Sequence, residues 1–428
     1  MAEPGVRAEV GNIETIEGLR GVAVLYVIAF HYWVLRLDKF GDPLLHLIAG
    51  TPLQRFVAHG FLGVDLFFVL TGFLLTLPWF RHDFLGLERP SAREFYKRRA
   101  RRIVPAYYVQ LVVLFAIVVP LVLGRDFWMR NLYFLAANIP AHFTFLHYTT
   151  PVSSASLGLN GALWTLALEA QYYLLVPLLA PFFVRGPWRS AFVLVAIAAA
   201  WRWLADHDLA PLVAFEMRMG APWNLPESVI RHLLTTQLPG YLAHFAVGIV
   251  IGRAWLLLRS RPVSARLQAY WAGTGLLAIY LVVVAHSTEG GLFGEMSWAV
   301  VPLCFGIALF ALVVGAPSVG HALLANRPLQ FTGRVSYSAY LYHLPLLLLW
   351  NKYAPGLGWA SAPCYLAVVL GVSWLSFRWV EQPFMKSRRE KAWPKNAARG
   401  ASEAPSTSPI TTASGASPST TTVSSSNS

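Results

Sequence analysis

The sequence has few charged residues and almost no cysteine, and each shortage argues against a class of protein. Charged residues make up 13% of the 428 residues, against roughly 25% in soluble globular domains. So few polar groups would not cover a soluble surface of this size, whereas a surface facing lipid needs few of them. The two cysteines, Cys304 and Cys364, both lie in apolar runs. Neither a disulfide framework nor a cysteine metal site is therefore predicted, and no metal is expected.

Apolar residues are abundant instead, at 56% of the chain. About ten apolar segments are long enough, or nearly so, to cross roughly 30 Å of hydrocarbon. Their approximate limits are 13–36, 60–80, 103–123, 162–184, 190–206, 239–258, 267–286, 296–315, 336–350 and 361–381. The aromatic-rich stretch 125–147 is interrupted by polar residues, which indicates a re-entrant or interfacial segment. The pattern predicts an all-α polytopic membrane bundle of about ten transmembrane helices.

The positive charge is distributed unevenly between alternate loops. With the N-terminus in the cytoplasm, roughly 24 Lys and Arg residues fall on the cytoplasmic side and roughly 8 on the other. This asymmetry explains most of the net charge of +13 without a nucleic-acid partner, and an even number of spans places both termini in the cytoplasm. We expect residues 1–390 to form the membrane domain. The Ala-, Ser-, Thr- and Pro-rich residues 391–428 are expected to be a disordered cytoplasmic tail.

Two ionisable residues lie within the first apolar segment, GLRGVAVLYVIAFHYWVL. Arg20 and His31 are eleven residues apart, so on a helix they differ by only about 20° in direction and by roughly 16 Å in height. Ionisable groups inside a bilayer are costly and usually functional or paired. The pattern favours a functional pair on one helix face, although a histidine bonded to a neighbouring helix would fit the spacing equally well.

The same segment, as IEGLRGVAVLYVIAFHY, resembles the opening span of the acyltransferase-3 family of integral-membrane acyltransferases, where an Arg, ten residues and a His form the signature. Further stretches match in the family's order, and the resemblance covers roughly residues 13–386. They are GFLGVDLFFVLTGFLLT, FYKRRARRIVPAYY, GALWTLALEAQYYLLVPLL with its Trp-x-Leu-x-x-Glu pattern, GRVSYSAYLYHLPLL and WVEQPF. Some members carry an additional extracytoplasmic esterase-like domain. The length of this chain leads us to expect the stand-alone form.

The resemblance implies transfer of an acyl group from acyl-CoA, as co-substrate, to a hydroxyl of a sugar or other glycosylated acceptor. No bound cofactor is implied. Such a reaction needs a base, and a neutral imidazole suits that task near pH 7. His31 is the candidate base.

The family's Arg-x-x-Arg motif maps onto Arg99 and Arg102, which precede the third apolar segment. Guanidinium groups three residues apart on a helix share a face and suit phosphate, so this pair, together with Arg20, is predicted to bind the donor. Arg98 and Arg101 have the same spacing, which leaves the register open. Arginines at the inner leaflet also bind lipid headgroups and enforce topology in any membrane protein.

Two acidic residues lie inside predicted spans. Asp65 is predicted either to orient His31 or simply to pair with an arginine or histidine. Glu169 is predicted to bind acceptor hydroxyls or contact His31, with a structural hydrogen bond as the alternative. Both are candidate catalytic residues.

The ninth segment carries further polar residues. His343 is either a second polar group of the cavity or a core histidine that is hydrogen-bonded to its surroundings. We expect direct transfer to the acceptor, while Ser336 and Ser338 keep a covalent acyl-enzyme open.

Two other classes of function remain from the sequence. One is a transporter of a lipid-linked or glycosylated substrate, although paired interrupted helices in two related halves are not apparent. The other is a non-catalytic membrane scaffold, which gives no reason for Arg20 and His31 to share a face. We expect a multi-pass location in the bacterial cytoplasmic membrane. The sequence does not indicate the acyl group, the acceptor or the oligomeric state.

Overall fold

A computed structural model describes residues 4–37, 39–150, 160–219, 226–258, 264–286, 296–314 and 319–385. Regular structure in these ranges is entirely helical, which confirms the predicted all-α bundle. The ten long helices are α1 (Pro4–Arg36), α2 (Leu62–Leu85), α3 (Ala92–Val113), α4 (Trp164–Arg185), α5 (Pro187–His207), α6 (Leu238–Leu258), α7 (Ala265–His286), α8 (Ser297–Val314), α9 (Arg327–Tyr353) and α10 (Ser361–Ser376). Residues 391–428, the predicted tail, lie outside the described residues.

Shorter helical pieces connect or extend the long helices. They are Pro43–Ile48, Pro52–Ala58, Leu114–Val118 and Phe377–Glu381 (both π-helical), Val119–Leu123, Phe127–Arg130, Leu132–Phe143, Gly161–Leu163 and Gly358–Ala360 (both 3₁₀), Ala210–Met219, Glu227–Thr235, Val319–Leu324 and Gln382–Met385. Two of these pieces lie in the stretch 125–147, and the re-entrant or interfacial placement of that stretch stays a prediction.

Each of the ten predicted segments overlaps a long helix. By length and composition, eight helices of the described part of the chain can cross a membrane. The two that fall outside this set are α7 and α9, which have 22 and 27 residues. A span count of ten and the cytoplasmic termini therefore remain predictions, while the polytopic helical bundle itself is established.

Glycine brings the helices that carry the polar residues into backbone contact. A Cβ atom on Gly333 of α9 would lie 2.0 Å from the carbonyl oxygen of Glu17 on α1. A Cβ atom on Gly248 of α6 would lie 2.2 Å from the carbonyl oxygen of Val69 on α2. Small residues at such crossings let helix backbones approach closely inside a bilayer. Side chains on α1 and α9 are thereby brought within hydrogen-bonding reach of each other.

Candidate active site

Five long helices surround one cavity of about 870 Å³, its open mouth included. Its lining combines polar side chains with an apolar wall from α2. The lining residues are Arg20, Val64, Phe67, Phe68, Leu70, Thr71, Leu74, Leu75, Arg99, Arg102, Ile103, Thr165, Leu166, Glu169, Tyr173, Ser336, Tyr337 and Tyr340. The three arginines predicted to bind the donor thus line the same cavity, together with Glu169.

The cavity also distinguishes the two possible registers of the arginine motif. Arg99 and Arg102 line the cavity, whereas Arg98 is exposed and lines a neighbouring groove. Arg20 donates from Nη2 to Oγ of Ser336 at 3.0 Å. Buried Nε of Arg99 has no hydrogen-bond partner among the described residues. The geometry therefore favours the Arg99/Arg102 register and leaves a donor of the cluster unsatisfied.

Among the described residues, Glu169 is the one carboxylate that lines this cavity. It accepts a short hydrogen bond from the hydroxyl of Tyr173, one helical turn later on α4. Its charge also interacts with Arg20 and Arg99. Glu17 also interacts with Arg20, and Glu381 with Arg20 and Arg102, but neither of them lines the cavity. The lining itself carries three guanidinium groups against one carboxylate, which is an excess of positive charge. Such a site attracts anions, and guanidinium groups suit phosphate.

His31 forms a pair with His343. Nδ1 of His31 is 3.2 Å from Nε2 of His343 and 3.0 Å from the carbonyl oxygen of Val27. Nδ1 of His343 faces the carbonyl oxygens of Tyr340 at 2.8 Å and Ala339 at 3.2 Å. His343 is fully buried, whereas His31 is half-buried.

These contacts assign the tautomers of the two rings when both are neutral. A ring nitrogen that faces a carbonyl oxygen must be the donor. His343 therefore donates from Nδ1 and presents an Nε2 lone pair. Nδ1 of His31 donates to the carbonyl oxygen of Val27 and shares the same proton with that lone pair. The remaining nitrogen, Nε2 of His31, then carries a lone pair and has no hydrogen-bond partner among the described residues. A ring in this state can accept a proton.

The histidine pair lies beyond the end of the cavity that Tyr340 lines, and neither histidine is among the lining residues. Tyr340 lines the cavity, and its ring centroid is 5.6 Å from that of His343. The Tyr340 hydroxyl donates to the carbonyl oxygen of Ala162 and accepts from Oγ1 of Thr165, each at 2.8 Å. Along α9, Tyr340 thus lies between Ser336, which contacts Arg20, and His343, which contacts His31.

Asp65 is placed in a separate cluster. Its Oδ1 is 2.6 Å from Nε2 of His244 on α6. The ring of Tyr241 packs 4.9 Å from that of His244. The Arg202 guanidinium lies 5.8 Å from the Tyr241 ring and 5.7 Å from the Trp298 ring. Asp65 thus pairs with a histidine, which is one of the two alternatives that the sequence left open. That histidine is His244 and not His31. A catalytic role for Asp65 stays a prediction.

The two serines of α9 have different partners. Ser336 accepts from Arg20, and a guanidinium cannot remove its proton. Ser338 is fully buried and donates within a cluster formed with Glu381, at 2.5 Å, and Ser376, at 2.8 Å. Neither serine contacts a histidine among the described residues. These surroundings favour direct transfer over an acyl-enzyme.

Sequence reasoning undervalued His343. The available signal was spacing, because Ser336 and His343 are seven residues apart and therefore share a face of α9. Arg20 and His31 share a face of α1 in the same way. The two polar residues of α1 thus meet the two of α9 in two pairs, Arg20 with Ser336 and His31 with His343. The larger rise between the α1 residues, roughly 16 Å against about 10 Å, is accommodated by the long side chain of Arg20.

Comparison with known proteins identifies the family. The family model described as an acyltransferase domain matches residues 13–378. The chain belongs to the acyltransferase-3 family of integral-membrane proteins. This confirms the resemblance that the sequence motifs indicated.

Individual relatives share about a quarter of the aligned residues with this chain. The chain is 25% identical over 405 residues to the peptidoglycan O-acetyltransferase OatA of Listeria monocytogenes, covering 88% of this chain and 56% of the relative. It is 23% identical over 395 residues to the O-acetyltransferase OatA of Staphylococcus aureus, covering 87% and 57%. It is 27% identical over 397 residues to nodulation protein 10 of Rhizobium leguminosarum bv. viciae, covering 88% and 95%. The chain thus spans little more than half the length of the OatA relatives.

No solved structure matches the chain. The helices that can cross a membrane and the bacterial relatives identify it as a multi-pass protein of the bacterial cell membrane.

Proposed function

We propose that this protein is a membrane-embedded O-acyltransferase that moves an acetyl or other short acyl group from acyl-CoA to a hydroxyl of a sugar or glycosylated acceptor. The observation that carries the proposal is the arrangement along α1. Arg20 lies in a cationic cavity with Arg99 and Arg102, and His31 lies beside His343, beyond the end of that cavity that Tyr340 lines.

The donor is assigned from charge and distance. Phosphate groups of acyl-CoA bind Arg20, Arg99 and Arg102, whose charge Glu169 only partly offsets. The pantetheine arm then extends along the α2 wall toward Tyr340. This path leads the thioester toward His31, roughly 16 Å further along α1.

His31 acts as the general base. Its Nε2 takes the proton of the acceptor hydroxyl while the hydroxyl oxygen attacks the thioester carbonyl carbon. The C–S bond breaks, the acyl group stays on the acceptor oxygen, and the departing CoA sulfur receives the proton from His31. His343 is a positioning residue, because its Nε2 accepts from Nδ1 of His31 and keeps the His31 lone pair on the nitrogen that meets substrate.

Glu169 is proposed to position the arginines and to contact acceptor hydroxyls, since it lies in the same cavity and is oriented by Tyr173. The acceptor class is supported by the relative whose name specifies peptidoglycan. A cell-envelope glycan is therefore the first acceptor to test, followed by lipid-linked sugars and glycosylated natural products.

The test uses purified full-length protein in nanodiscs with acetyl-CoA. We expect release of free CoA thiol only when an acceptor such as a peptidoglycan fragment is added, with acetyl ester appearing on the glycan in equal amount. A transporter or a scaffold would bind or move the glycan without releasing CoA. Absence of release with every acceptor class, from protein shown to be folded and inserted, would refute the proposal.

A further inference from the structure

A second concave site lies beside the cationic cavity, and the function above leaves it unused. It is a groove formed by the end of α2, the linker that follows and the start of α3. Arg81, Arg89 and Arg98 line it. Leu74 lines both the groove and the cavity, so the two sites are neighbours.

The groove carries an excess of positive charge. Glu88 and Glu94 also line it, but Glu94 forms an ion pair with Lys97 at 3.5 Å. The guanidinium of Arg81 lies 6.0 Å from the ring of Trp255. This contact positions Arg81 at one side of the groove. Arg89 and Arg98 are exposed and are therefore accessible to a ligand from the cytoplasmic side.

The groove and the cavity follow one another along α2 and α3. Arg98 directly precedes Arg99, which lines the cavity. On α2, Arg81 is seven residues beyond Leu74, or about 10 Å further along the helix axis. One extended polyanion can therefore contact the cavity arginines with one phosphate group and the groove arginines with another.

We propose that this groove binds the 3′-phosphate of the nucleotide part of acyl-CoA, while Arg20, Arg99 and Arg102 bind the diphosphate. The inference rests on the proposed acyl-CoA donor and adds a second phosphate subsite to it. Arg89 and Arg98 are the residues that contact the 3′-phosphate. The same phosphate chemistry is present in lipid headgroups, so the experiment must separate the two sources.

The experiment compares acetyl-CoA with acetyl-3′-dephospho-CoA as donors for the protein in nanodiscs. We expect wild type to have a KM about tenfold lower for acetyl-CoA, because hydrogen bonds to a charged group contribute at least this much. Arg89→Gln and Arg98→Gln should each raise the KM for acetyl-CoA and leave the KM for the dephospho donor unchanged. Each substitution should thereby reduce the difference in KM between the two donors.

Arg93→Gln is the matched control. Arg93 is exposed, lies on the same helix near Arg98 and does not line the groove, so its loss removes the same charge from the same surface. It should preserve the donor preference. Nanodiscs of phosphatidylcholine alone are compared with nanodiscs that also contain phosphatidylglycerol, because a headgroup site would make the variant effects follow lipid charge.

The remaining outcomes overturn the inference in distinguishable ways. If wild type uses both donors equally, or if Arg89→Gln and Arg98→Gln weaken both donors to the same extent, the groove is not a 3′-phosphate subsite and the proposed function is unaffected. If the variant effects vary with phosphatidylglycerol and not with the donor, the groove binds lipid. If wild type turns over neither donor with any acceptor, the proposed function fails and the subsite fails with it.

Discussion

Two histidines of this protein, His31 and His244, each bond to a side chain on a distant helix, yet their surroundings differ. His244 bonds to the carboxylate of Asp65, is fully buried between aromatic rings, and has a buried Nδ1 without a hydrogen-bond partner. His31 bonds to a second imidazole and is only half-buried. The unpaired nitrogen of His244 is buried, whereas His31 is a partly exposed side chain.

The two histidines therefore differ in exposure and partner, and we expect His31 to act in the reaction and His244 to stabilise the fold. Both lie on membrane helices within apolar sequence, and both would attract attention as intramembrane ionisable groups. The following experiments test that separation, from the largest expected effect to the smallest.

The largest effect is expected at His31. His31→Gln should lower kcat for acyl transfer by about 10³-fold, since a general base typically contributes 10²- to 10⁴-fold. The measurement is acceptor-dependent CoA release. His244→Gln is the control and should retain activity within about tenfold once corrected for folded protein. Comparable losses in both variants would erase the distinction between the two histidines.

A smaller effect is expected at His343. His343→Leu should lower kcat by about 10-fold, because one of the two hydrogen bonds that fix the His31 ring is lost while the one to the Val27 carbonyl oxygen remains. His343→Gln keeps a side-chain oxygen that can accept from Nδ1 of His31, so it should recover much of that loss. KM for the donor should stay the same in both. A change confined to thermal stability, with kcat per folded molecule unaltered, would assign His343 to the core.

At Arg20 the effect should fall on donor binding. Arg20→Gln should raise KM for acetyl-CoA about tenfold and change kcat much less, since Arg20 is proposed to bind the phosphates and not to take part in the chemical step. Steady-state kinetics across donor concentrations measure both constants. A large loss of kcat at saturating donor would move Arg20 into the chemical step.

The smallest effect on turnover is expected at Asp65. Asp65→Asn should lower the free energy of unfolding by about 1–3 kcal/mol, because it weakens a buried pair with His244. Turnover per folded molecule should be nearly unchanged. Thermal unfolding in detergent and specific activity, measured on the same sample, test the two statements. Loss of turnover without loss of stability would restore the catalytic role that the sequence suggested.

Most of the fold could be predicted because hydrophobic runs are a local property of the chain. The predicted helix limits were wrong where polar residues continue a helix beyond its apolar part. The third helix begins at Ala92, within the arginine-rich stretch, and not at the predicted residue 103. The ninth extends over Arg327–Tyr353, well beyond the predicted 336–350, because polar residues at its start hide it from hydropathy.

The site was predictable only as far as its spacing along single helices. Arg20 and His31 were paired by their shared face, and so were Arg99 and Arg102. The partners across helices were not readable, since Asp65 and His244 are 179 residues apart and His31 and His343 are 312 apart. Such contacts depend on which helices are neighbours, and hydrophobic periodicity carries no information about that.

The separation of Arg20 and His31 along α1 has a consequence for donor choice. If Arg20 binds phosphate and His31 is the base, their distance of roughly 16 Å favours carriers whose flexible arm has a similar length. Thioesters on much shorter thiols would reach His31 only without contact to Arg20. The enzyme would then select its carrier by length as well as by charge.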